Sequence, residues 1–198
     1  VRFLEANCSF KVFTEDLISS SEKFECEHPD LNDFFISDCV NYSKELLGKS
    51  YCFTLDTNEK NIVCAFTISN DSIKVDNLPN ARKKKVTNAI PSRKRFKSYP
   101  AVLIGRLGVN QGFGRRGIGS ELMDFIKSWF IDKDNKTGCR FIVVDSYNTD
   151  NAKNFYLKNG FEFLFSSEEQ EKENMGMNSY EELKTRFMYF DLINLEVS

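Results

Sequence analysis

The chain has 198 residues, 41% of them hydrophobic, with 19 phenylalanines and a formal net charge of −2. That length suits a single domain with a packed core. No run approaches the roughly 18 apolar residues of a membrane span, and the N-terminus lacks a secretory-signal pattern, so no membrane association is expected. The six cysteines show no C-x-x-C spacing and the one histidine, His28, lies in the polar turn "CEHPD". No metal site and no histidine-activated nucleophile are therefore expected, and isolated thiols point to a reducing, cytoplasmic setting.

Charge is unevenly distributed. Between Asn77 and Ser120 there is no acidic residue, while Arg82, Lys83, Lys84, Lys85, Arg93, Lys94, Arg95, Lys97, Arg106, Arg115 and Arg116 are all basic. Such a block is either a solvated face or an attractor for a polyanion.

In chain order, alternating residues predict a strand over 8–14, followed by a serine-rich turn at 19–22. Asp30 is placed to N-cap a helix whose apolar face is Leu31, Phe35, Cys39, Tyr42 and Leu46, with Gly48 as its stop. Strands over 50–55 and 62–69, joined by "DTNEK", form a hairpin. A basic insertion at about 77–100 is broken by Pro79, Pro91 and Pro100 and holds a short helix near 81–90. An apolar strand over 102–109 leads through a glycine-rich loop into a helix with Ile118, Leu122, Phe125, Ile126 and Trp129 on one face. After a polar turn, "RFIVVD" reads as a buried strand. A helix from Thr149 or Asp150 to Lys158 stops at Asn159-Gly160. A strand over 161–165, an acidic loop at about 166–182 and a last strand over 186–192 complete the chain. Phenylalanine-rich strands near the C-terminus are suited to edge pairing, which leaves a homodimer open.

The loop carries the chemistry. Gly112, Gly114, Gly117 and Gly119 let the main chain approach an oxyanion, and amides at a helix start have no internal partner. The bland alternative is a tight turn. A P-loop is excluded, since Ser120 and Glu121 follow Gly119 where Lys-Ser/Thr is needed. A dinucleotide fold stays open on spacing, although Asp145 lies farther from Gly117 than the usual 20 or so residues.

A second stretch, "DNAKNFYLKNGFEF", read together with "GRLGV" and "GRRGIGSELM", resembles the GNAT superfamily of acetyl-CoA-dependent N-acetyltransferases. The resemblance implies one α/β domain over residues 1–198, with a mixed, mostly antiparallel twisted sheet splayed between two parallel strands and flanked by helices. It implies acetyl-CoA as cosubstrate, its pantetheine arm along Leu107, Gly108 and Val109. Its pyrophosphate would lie on Gly114, Arg115, Arg116, Gly117, Ile118, Gly119 and Ser120. Ala152 and Tyr156, four apart, match the family's next helix, and Tyr156 falls where family members often keep a general acid for the leaving thiolate. The family's Gln/Arg at the head of the loop is replaced by Gly114, with Gln111 three residues earlier.

Phe24, Cys26, Leu31 and Phe34, the basic linker and "VDSYNTDNAKNFY" also resemble the GNAT toxins of bacterial toxin–antitoxin pairs. That resemblance implies the α-amine of aminoacyl-tRNA as acceptor and a small ribbon-helix-helix antitoxin as partner. The chemistry is compatible: an α-amine with pKa near 8 is roughly one-tenth neutral at pH 7, whereas a lysine near 10.4 is almost entirely protonated. No clear general base is identified, with Asp145 the one carboxylate considered. The alternatives are a different primary-amine acceptor and a non-catalytic acyl-CoA-binding module. A nucleic-acid-binding protein with a purely structural glycine loop is a further one.

Overall fold

Local capping chemistry decides where most elements begin and end. The computed structural model describes residues 2–196. A short helix α1 (Phe3–Asn7) leads into β1 (Cys8–Val12). β1 is shorter than expected because Thr14 is diverted to N-cap α2 (Glu15–Ser20), its side chain accepting from the Leu17 amide. The predicted serine turn is the end of this helix, where Ser19, Ser20 and Ser21 donate back to the carbonyls of Glu15, Asp16 and Leu17.

The next helical stretch comprises α3 (Pro29–Asp33), a π-turn at Phe34–Asp38 and α4 (Cys39–Lys44). It begins two residues before the expected cap: His28 is the N-cap and Pro29 takes the first helical position. It also ends before Gly48. Leu46 adopts φ 59°, with its amide donating to Ser43 O and the Leu47 amide to Tyr42 O, a Schellman pair. Gly48 serves packing instead, since a Cβ there would lie 2.5 Å from the Tyr42 ring and 2.8 Å from Ile68 O.

The hairpin β2 (Lys49–Leu55) and β3 (Asn58–Lys74) turns at Asp56-Thr57, tighter than the five-residue turn expected, and β3 runs on past Ser69. Then follow α5 (Asn80–Thr87), β4 (Ser98–Val109), α6 (Ile118–Ile131) and β5 (Phe141–Tyr147). α7 (Asp150–Lys158) is capped by Thr149 and closed by Gly160 at φ 80°. The last elements are β6 (Glu162–Phe163), α8 (Glu168–Met175), β7 (Thr185–Asp191) and α9 (Ile193–Glu196).

Two of these correct the sequence reading. The expected strand over 161–165 shrinks to two residues, because Arg82 of α5 donates to the carbonyls of Phe163 and Leu164 (2.7 Å to the latter). The acidic loop is largely helical: Ser167 caps α8, Gly176 closes it at φ 69°, and Glu171 ties it to β7. Glu171 is 2% exposed and accepts from Arg186 Nε at 2.7 Å and from the Phe187 amide at 2.6 Å. A buried carboxylate with two charge-assisted donors is satisfied, and sequence polarity alone misreads it as solvated.

The strand order is β1-β2-β3-β4-β5-β7-β6. β1/β2, β2/β3, β5/β7 and β6/β7 are antiparallel, and β4/β5 is parallel. The β4/β5 ladder joins Ala101–Leu103 to Phe141–Val143 and stops, although β4 runs on to Val109 and β5 to Tyr147. This is the splayed, mostly antiparallel α/β sheet expected from the resemblance. β7, the phenylalanine-rich final strand, is paired with β5 along one edge and with β6 at Met188 and Tyr189 on the other.

The chain forms two compact units, Val1–Ser69 with Ile104–Trp129, and Asn70–Leu103 with Phe130–Ser198. In the first, α6 buries Ile118, Leu122, Met123 and Ile126. Its Phe125 and Trp129 join Phe10, Tyr51, Phe53 and Phe66 in an aromatic layer, with centroids 4.9 Å apart for Phe10–Phe125 and Tyr51–Trp129. In the second, Ile73, Val75, Val86, Tyr99, Phe141, Val143 and Tyr189 form the core.

Candidate functional site

The glycine-rich loop belongs to the first unit. As β4 ends, Asn110 takes over: its amide donates to Val63 O (2.9 Å), Nδ2 donates to Ile62 O (3.1 Å), and Oδ1 accepts from the Gly112 amide (3.1 Å). This fixes a short 3-10 turn, Gln111–Phe113, in which the Phe113 and Gly114 amides donate to Asn110 O and Gln111 O. Gln111 is committed elsewhere, its amide donating to Glu25 O (2.8 Å) and Nε2 to Cys26 O (3.2 Å). Gln111 therefore anchors the loop to the Phe24–His28 segment and does not stand in for the phosphate-facing side chain that Gly114 lacks.

Beyond Gly114 the backbone turns through two left-handed residues, Arg115 at φ 60° and Gly117 at φ 78°, before α6 starts at Ile118. Alternating handedness turns successive N–H groups toward one side, the geometry of an anion-binding nest. Among the described residues none accepts from the amides of Arg115, Arg116, Gly117, Ile118 or Gly119. The Ser120 amide, by contrast, donates to Gly117 O at 3.0 Å. Five free amides lie at the positive end of a 14-residue helix, and the exposed Arg115 and Arg116 add charge. Arg116 rests over the Phe113 ring at 5.9 Å.

Upstream, Leu107 and Val109 are half-buried and Gly108 is buried. A Cβ on Gly108 would lie 3.2 Å from Cys26 Sγ and 3.4 Å from the Phe24 ring, so the small residue permits that segment to lie against the strand.

Tyr156 belongs to the second unit, on α7. Its half-buried ring packs against Phe155 and Phe161 (centroids 5.1 and 5.4 Å), and its hydroxyl has no hydrogen-bond partner among the described residues. Burial, and then the neighbouring Tyr147, push its pKa above the ordinary tyrosine value. The phenol thus holds its proton at neutral pH with no internal acceptor for it. Asp145 sits two residues before the end of β5, opposite Phe187, and is exposed, so it does not close the strand as expected.

Residues 80–163 match the family model described as an acetyltransferase (GNAT) domain. Over that stretch the chain is similar to GNAT acetyltransferases. The dinucleotide reading falls with that match, and the mixed sheet agrees. The matched stretch is that of an N-acetyltransferase with acetyl-CoA as cosubstrate. Among solved structures, AtaT complexed with acetyl-methionyl-tRNA superposes with a TM-score of 0.68 at 19% identity, over 96% of this chain and 98% of that one. A tyrosine-to-phenylalanine mutant of KacT gives 0.67 at 17%, over 96% and 98%. AtaTR bound with acetyl-CoA gives 0.59 at 17%, over 96% and 97%. At these identities the likeness is one of fold. No curated protein matches the chain.

Two contributors were missed in the sequence. Asn110, two residues before Gly112, is an Asx-turn signal that spacing alone would have flagged. Tyr147, which bears on Tyr156, has no local signature, because strand and helix bring the pair together.

Proposed function

We propose that this GNAT domain acetylates the α-amine of aminoacyl-tRNA and is held in check by an antitoxin of the ribbon-helix-helix type. In this reading the amides of Arg115–Gly119 bind the diphosphate of acetyl-CoA and β4 residues Leu107, Gly108 and Val109 line its pantetheine arm. The neutral amine attacks the thioester carbonyl, forming the C–N bond, and an N–H of the strand near Val109 steadies the oxyanion. As the C–S bond breaks, Tyr156 gives its proton to the departing sulfur, the proton lost by the amine passes to solvent, and Tyr156 takes one back from solvent.

The observation that carries the proposal is the row of five unpartnered amides at the start of α6, opened by left-handed backbone at Arg115 and Gly117. The acceptor assignment draws support from the toxin neighbours: AtaT has been solved with acetyl-methionyl-tRNA, and with the C-terminus of its antitoxin AtaR in a Tyr-to-Phe mutant form. The weak demand of an α-amine for a base fits as well.

The test is mass spectrometry of products after incubating the protein and acetyl-CoA with charged tRNA, and separately with a panel of small amines. Acetylated aminoacyl-tRNA with little acetylation of the panel is the expected result. Efficient acetylation of small amines with untouched tRNA would move the acceptor to that class.

A further inference from the structure

The eleven basic residues between Asn77 and Ser120 do not act alike, and the second unit shows why. Arg82 is spent on the Phe163 and Leu164 carbonyls, Lys83 pairs with Asp76, and Lys85 pairs with Glu162 at 2.6 Å. The segment Arg93-Lys94-Arg95-Phe96-Lys97 is different. Its four cations are exposed and form no ion pair with a described residue; Lys97 contributes only a longer-range pull on the Asp76 carboxyl.

In the middle of these cations stands Phe96, 62% exposed. Its ring meets Tyr99 edge-on with centroids 6.0 Å apart and is otherwise largely open to solvent, and the turn is built to present it. Tyr99, 5% exposed and packed edge-on to Phe141, sends its hydroxyl up into the turn. That oxygen accepts from the Phe96 amide at 2.9 Å and donates to Lys94 O at 3.3 Å. The Lys94 amide in turn donates to Pro91 O at 2.8 Å. Phe96 therefore sits on a turn braced from the core.

We propose that residues 93–97 form a contact surface for unpaired RNA, in which Phe96 stacks on a base and Arg93, Lys94, Arg95 and Lys97 hold the flanking phosphates. A flat π-face flanked by unpaired cations at backbone spacing matches a single strand, whose bases are free to stack. A duplex keeps its bases inside and leaves the ring without a partner. The proposal rests on the aminoacyl-tRNA reading for its biological ligand, where the single strand is the acceptor end.

The test is fluorescence anisotropy of the full chain with a labelled single-stranded RNA oligonucleotide and with a blunt RNA duplex, across a salt series. Phe96→Ala lowers single-strand affinity about tenfold, leaves the salt slope unchanged, and barely alters duplex binding; Phe96→Trp restores affinity. Lys94→Ala with Lys97→Ala weakens both ligands and flattens the single-strand slope by about 1.4, the share of two phosphate contacts. Single-strand affinity of Phe96→Ala equal to the parent's at every salt concentration overturns the proposal, as does an equal loss on duplex. The two readings fail separately: a Phe96-dependent single-strand affinity in a protein that leaves charged tRNA unacetylated keeps the surface and removes the acceptor. Acetylation of charged tRNA with undiminished kcat/KM in Phe96→Ala does the reverse.

Discussion

A phenol protonates a departing thiolate only while it keeps its own proton, and Tyr156 is placed to keep it. Burial on α7 and the nearby Tyr147 raise its pKa, and no described group accepts from its hydroxyl. Removing that oxygen costs the fold no internal hydrogen bond, because none is made. Tyr156→Phe is therefore expected to lower kcat at least about tenfold, the lower range of general-acid effects being larger still, with the acetyl-CoA KM and the melting temperature almost unchanged. Steady-state kinetics beside a thermal melt check this. A parallel drop in melting temperature and rate would make the ring a packing residue, and unchanged kcat would remove it from the chemistry.

At the scale of elements, the structure separates what a sequence shows from what only tertiary contact decides. α7 was readable to within one residue, because Thr149 caps it and Asn159-Gly160 closes it within the segment itself. α6 was equally plain in its apolar stripe, and the glycine loop was plain as a candidate anion cradle. The amides that are open in that cradle were not readable, because the bonds of Gln111 and Ser120 depend on where neighbouring segments fall. The acidic stretch after Phe165 was misread for a similar reason. Its composition says solvent, and only the arrival of Arg186 from β7 makes Glu171 a buried residue. That arrangement is testable. Glu171→Gln leaves the Arg186 guanidinium buried at 9% side-chain exposure without its closest carboxylate, with Glu168 at 3.8 Å and the Phe163 ring at 4.5 Å as its remaining partners. Breaking one partner of a buried pair costs about 3–5 kcal/mol, which urea denaturation would read directly. A loss below about 1 kcal/mol, the range of an exposed pair, would contradict the account of α8.

For the whole molecule, the amide-lined loop belongs to one compact unit, and Tyr156 and the cationic turn belong to the other. The resemblance read from two separated motifs is supported by a family model over residues 80–163, a span that draws on both units. Everything proposed for the reaction depends on the loop holding a diphosphate, so the most direct measurement compares a thioester that carries this group with one that lacks it. Acetyl-CoA carries the diphosphate and, beyond it, 3′-phosphoadenosine; S-acetylpantetheine has the same thioester and arm without either. If the amides of Arg115–Gly119 grip the diphosphate, calorimetry should show acetylpantetheine binding at least about 100-fold more weakly, the loss of two charge-assisted hydrogen bonds at about 1.4 kcal/mol each. Equal affinity for the two compounds would contradict the account at its centre.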